Sequence, residues 1–188
     1  NNVDEDFEYL ELRNVGATPL NVNGCTISGG VGFTFPNRVV AAGERVLVVK
    51  NTAAFNSRYP GLSGAVVGEF TGNLANNGNR ISLKGRLREP ILDFSYDDEW
   101  YPVTDGFGFS LVIVNDNAAA DTWSLASSWR PSGVLNGTPG QGDGAAPSIP
   151  EVVINEILTH SDPAPPTDTI ELRNLSAGNA DVSGWYLT

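Results

Sequence analysis

At 188 residues and 40% hydrophobic content, the chain has enough apolar side chains for one ordinary domain and a further fragment, which excludes a disordered tail. Its 11 basic and 22 acidic residues leave a formal net charge of −11. That is the wrong sign for neutralising phosphates, so nucleic acid is excluded as a partner. The single cysteine, Cys25, excludes an internal disulfide and a cysteine-based zinc site.

Residues 8–15 open the pattern as a strand, with Tyr9, Glu11 and Arg13 alternating against Leu10, Leu12 and Asn14. A turn over 16–19 leads to a second strand at 20–27, and Phe33, Phe35 and Pro36 mark a short third one. Residues 45–50 are apolar on both faces, which predicts a central strand of a sheet. Thr52 is placed to cap one short helix over 53–59, stopped by Pro60 and Gly61.

Further strands are expected at 66–70, 80–83, 91–96 and 109–114, with a turn at 76–79 and a hairpin at Lys84, Gly85 and Arg86. Residues 115–143 are irregular but carry Trp123, Leu125, Trp129 and Val134, the composition of a strap lying on a sheet. Residues 140–150 are rich in glycine and proline and read as a linker. A new alternating strand then begins at 151–158. The 21 glycines and 12 prolines fall between short apolar runs, which is the turn punctuation of an all-β protein.

Glu-Leu-Arg-Asn occurs twice, at 11–14 and 171–174. Carried through without a gap, the offset of 160 gives 7 identities in 21 positions between 8–28 and 168–188. Leu10 falls on Ile170, Val15 on Leu175, and Cys25 on Trp185, which makes Cys25 a core position rather than a reactive thiol. The chain therefore holds most of one repeat and the opening of a second.

The second copy runs Val153-Ile154-Asn155-Glu156-Ile157, a loop, Asp168 to Asn174, and then Asp181-Val182-Ser183-Gly184-Trp185. This order resembles the opening of the bacterial lamin-tail domain. In the first copy the resemblance continues through Phe33-Thr34-Phe35-Pro36, the helix near Phe55, Asp105 to Leu111, Ser128-Trp129-Arg130 and Gly137-Thr138-Pro139-Gly140. It implies an all-β, immunoglobulin-like β-sandwich. The expected organisation is a sandwich over 1–145 lacking its first strand, a linker at 146–150, and the first strands of a second repeat at 151–188. Residues 152–158 are a ready substitute for the missing strand, in the same chain or exchanged into a strand-swapped homo-oligomer.

The candidate sites are few. His160, the only histidine, sits in a proline-rich loop and offers no triad or multi-histidine metal site. Asp97 and Asp98 offer carboxylate oxygens to calcium, but the simpler reading is turn acids in solvent. The acidic run Asp4-Glu5-Asp6 reads the same way. No carboxylate pair is marked out for glycoside hydrolysis.

Trp100, Tyr101 and Phe107 form an aromatic loop suited to stacking on sugar rings or anchoring a partner. The competing reading is that they cap one end of the core. Lys84, Arg86 and Arg88 make a basic stripe at spacing two, ordinarily a solvated hairpin face.

The resemblance implies a non-catalytic structural or interaction module of a larger, exported bacterial protein, acting on the cell surface or outside the cell. The alternative is a carbohydrate-binding or cell-surface attachment module, assisted by calcium, with a protein or cell-surface glycan as partner. A hydrolase is the least favoured reading. No apolar run approaches the roughly 20 residues of a membrane-spanning helix, so membrane insertion is not expected. The absence of methionine reads as an interior piece of a longer protein, with its targeting signal elsewhere.

Overall fold

The structure, a computed structural model, describes residues 5–146, 150–159, 168–183 and 185. His160 and Asp4 lie outside them. Contacts divide the chain into two units, residues 1–147 and 148–188.

The first unit contains β1 (Tyr9–Arg13), β2 (Leu20–Asn21), β3 (Thr26–Gly29), β4 (Val31–Thr34), β5 (Val39–Val40) and β6 (Arg45–Val49). Helix α1 (Thr52–Arg58) follows, then β7 (Val66–Glu69), β8 (Thr71–Gly72), β9 (Asn79–Lys84) and β10 (Pro90–Tyr96). β11 (Leu111–Ile113) and β12 (Trp129–Pro131) complete it. The second unit holds β13 (Val152–Leu158) and β14 (Thr169–Asn174). The described chain is thus predominantly β with one α-helix, an arrangement compatible with an immunoglobulin-like sandwich.

Two sheets form the body of the first unit: a three-stranded one in the order β1-β6-β7 and a five-stranded one in the order β10-β9-β3-β4-β8. Between them lies the principal core, with Ile27, Val31 and Ile81 from one sheet, Val46 and Val48 from the other, and Phe94 and Trp129 at one end. Phe94 stacks on Trp129 at 5.2 Å between ring centroids, and Trp123 meets Trp129 edge-on at 5.5 Å. The strap predicted over 115–143 therefore does lie on the core through its tryptophans. Leu125 and Val134, expected beside them, face solvent instead.

β6 shows why a run without alternation marks a central strand. Val46 and Val48 enter the principal core, while Leu47 and Val49 join Phe55 in a second cluster beneath α1. All four are buried. β6 pairs antiparallel with β1 and parallel with β7, so β6, α1 and β7 form a crossover unit whose helix covers the outer face of the sheet. The helix cap is Asn51, whose side chain accepts the Ala54 N–H at 3.1 Å; Thr52, expected in that role, is the first helical residue.

In the second unit β13 pairs antiparallel with β14, with Val153 opposite Arg173 and Leu158 opposite Thr169. The strand pairs with its neighbour in sequence, for which loop-closure entropy is small. A register shift between Ile154 and Glu156 leaves Asn155 to donate to the Glu171 carboxylate.

Candidate functional site

On the outer face of the five-stranded sheet Ser28, Thr34, Arg80 and Asp93 are exposed. Because Ile27, Ile81 and Phe94 point into the core, alternation turns Thr26, Ser28, Ser82, Lys84 and Asp93 the other way. Register then lines them up across strands. Thr34, Thr26 and Lys84 form one row over β4, β3 and β9, and Ser28, Ser82 and Asp93 form the next. Ser82 is buried between its neighbours, so the ledge is tightly filled as well as polar.

The ledge borders a groove of about 680 Å³ bounded by Thr26, Ser28, Thr34 and Thr71 on one side and Lys84, Arg86 and Arg88 on the other. Its basic wall belongs to the β9–β10 turn, which is closed by Gly85 N–H to Glu89 O at 2.9 Å and Arg88 N–H to Gly85 O at 2.9 Å. Arg88 adopts φ 67°, the left-handed conformation that a turn with a bulged residue demands. A side chain at position 85 would meet the Glu89 carboxylate, which would have to swing aside.

Lys84 ends β9, whereas Arg86 and Arg88 stand in the turn, so the three share a groove wall rather than one strand face. Arg80, Lys84, Arg86 and Arg88 are four of the 11 basic residues of an acidic chain. Arg80 is held by Asp93 through its Nε at 2.7 Å, while no ion pair is formed by Lys84, Arg86 or Arg88 among the described residues. The site therefore offers free cations beside hydroxyl donors and acceptors. That chemistry suits a ligand carrying both negative charge and many hydroxyls.

The residues predicted as sites lie elsewhere. Tyr101 Oη donates toward Trp129 O at 2.8 Å and Ala126 O at 3.1 Å, and both Trp100 and Tyr101 pack against the principal core. They serve the end of the sandwich. Phe107 is 64% exposed. Asp97 caps the next turn by accepting the Glu99 N–H at 2.9 Å. Among the described residues no group of three His, Cys, Asp or Glu side chains is placed to hold a metal ion.

The hydroxyl rows escaped sequence reading. Their signal is the alternation in Thr26-Ile27-Ser28 and Ser82-Leu83-Lys84, two short segments far apart in the chain whose polar faces only meet once β3 and β9 pair. In the second unit a hollow of about 350 Å³ is lined by Val152, Leu172 and Val182. At the sequence offset of 160, Leu172 and Val182 fall on Leu12 and Val22, which pack on the core of the first unit.

No protein-family model matches the chain, and none of the curated proteins matches it significantly.

Proposed function

We propose that the chain is a non-catalytic interaction module of a larger exported bacterial protein, built as a tandem of lamin-tail-type immunoglobulin-like sandwiches, with the open face of the five-stranded sheet as its contact surface. The observation that carries this reading is the unequal covering of the two sheets. α1 seals the outer face of one, and the other presents an ordered polar ledge beside the groove of Lys84, Arg86 and Arg88. The groove itself is lined by cations and hydroxyls, a chemistry that suits contact with a ligand.

A second reading, attachment to a cell-surface glycan, draws on the same groove. Free cations suit the carboxylates or sulfates of an acidic polysaccharide, and the rows through Thr26 and Ser28 suit its hydroxyls. The test is a glycan array probed with the wild-type chain and with a variant carrying Lys84→Ala, Arg86→Ala and Arg88→Ala, with and without calcium. Acidic glycans are expected to bind the wild type alone, independently of calcium. Equal binding by the variant would move the contact surface elsewhere.

A further inference from the structure

Among the described residues no strand pairs with the outer edge of β1. Lys50 N–H donates to Glu8 O at 2.9 Å and Asn14 N–H to Glu44 O at 2.9 Å, closing the two ends of the β1–β6 ladder. Antiparallel alternation then turns the peptide groups of Leu10 and Leu12 toward β6 and those of Tyr9, Glu11 and Arg13 away from it. β1 is the outermost strand of its sheet among the described residues. Glu11 records the result: its side chain is only 25% exposed, yet the residue as a whole is exposed, so the open part is backbone.

The second unit carries the same four residues with that edge filled. Leu175 N–H donates to Glu151 O at 2.7 Å, and the same alternation turns Glu171 and Arg173 toward β13. At the offset of 160, these are the counterparts of Glu11 and Arg13. The chain therefore contains, in Val152–Leu158, a strand that already fits the Glu-Leu-Arg-Asn edge.

Exchange is favoured by what each pairing buries. A two-stranded ribbon is marginal by itself, and in β13–β14 Ile154, Ile157, Ile170 and Leu172 all remain exposed. On β1 the same strand would lie beside Leu10 and Leu12, which rest on a complete core. The acceptor is already rigid. Tyr9 bonds to Asn136 O, Glu11 accepts the Gly140 N–H at 2.5 Å, and Arg13 meets Asp116 at 2.7 Å, so strand addition orders little new backbone.

We propose that Val152–Leu158 of one copy pairs antiparallel with Tyr9–Arg13 of a second copy, Val153 opposite Arg13 and Leu158 opposite Tyr9, and that the reciprocal pairing closes a twofold dimer. This goes beyond the reading of the five-stranded face and does not rest on it. The dimer also covers an edge that would otherwise template open-ended association.

Light scattering on the whole chain, from low micromolar concentration upward, tests the proposal. The expected mass at high concentration is twice the 19.9 kDa of one chain. Arg13→Pro deletes one outward N–H without touching the ladder to β6 and is expected to give a folded monomer. Arg13→Ala loses the ion pair to Asp116 but keeps the N–H, and stays dimeric. A synthetic peptide of residues 151–159 is expected to convert the wild-type dimer to monomers, and the same peptide N-methylated at Val153 and Glu156 is not. A wild-type monomer at every concentration overturns the proposal. So does a dimer that the unmodified peptide leaves intact, whatever the Arg13→Pro variant does.

Discussion

Arg130 Nη1 lies 2.6 Å from Asp143 Oδ2, and this ion pair fastens the end of the strap to β12. Asp143 also accepts the Gly133 N–H at 3.0 Å and the Thr138 hydroxyl at 3.0 Å, with its side chain 7% exposed. Removing one partner of so enclosed a pair leaves the other charge uncompensated. Asp143→Ala is expected to cost about 3 kcal/mol of unfolding free energy, read as a lowered midpoint in urea with the slope unchanged.

The pH dependence of stability follows from carboxylates that shift in opposite directions. Burial raises Glu11 above its ordinary 4.5, against the opposing pull of the Gly140 N–H and Arg45. Burial raises Glu8 likewise. A carboxyl raised on folding adds stability that is complete below 4.5 and is lost as pH rises through its folded value.

Asp143 behaves in reverse. Burial pushes it up, but Arg130, the Gly133 N–H and Thr138 outweigh this and hold it below 3.8. Its contribution is present above 3.8 and lost as pH falls through the folded value. The melting temperature is therefore expected to rise from neutral pH to a maximum at roughly pH 4–5 and to fall below it. Glu11→Gln is expected to flatten the rise and leave the acid fall in place. A melting temperature that drops steadily from pH 7 to 4 would contradict the assignment.

Tyr101 and Phe107 separate a core-capping loop from a ligand platform. Tyr101→Phe removes an O–H shared by two carbonyls and is expected to cost about 1–2 kcal/mol while leaving binding to acidic glycans unchanged. Phe107→Ala, at a side chain 64% exposed, is expected to change stability by less than about 0.5 kcal/mol and binding not at all. Paired urea titrations and glycan-binding isotherms check both. Loss of binding in Phe107→Ala at unchanged stability would restore the aromatic loop as the site.

Local pattern carried much of this fold. The unalternating run 46–49 announces a strand buried on both faces, and β6 is that strand. The Glu-Leu-Arg-Asn copies become strands in both units. What pattern cannot carry is pairing between distant segments. The parallel partnership of Leu47 with Val66 depends on α1 folding back over the sheet, and nothing in the residues around Val66 distinguishes a parallel neighbour from an antiparallel one.

The candidate groove was half legible for the same reason. Lys84, Arg86 and Arg88 stand out by charge, whereas Thr26, Thr34 and Thr71 become its opposite wall only through the registers of β3, β4 and β8. Asn51 rather than Thr52 caps α1 because the cap residue must itself be extended, and Asn51 is, at φ −142°. That conformation is set by the strand that precedes it.

The contact between the five-stranded face and an acidic glycan is tested most directly by amide chemical-shift mapping of the labelled chain titrated with an oligomeric uronate. Shifts are expected at Thr26, Ser28, Gly32, Thr34 and residues 84–88, saturating in the wild type and absent in the variant lacking Lys84, Arg86 and Arg88. Shifts confined to Trp100, Tyr101 and Phe107, or none anywhere in the first unit, would contradict that contact.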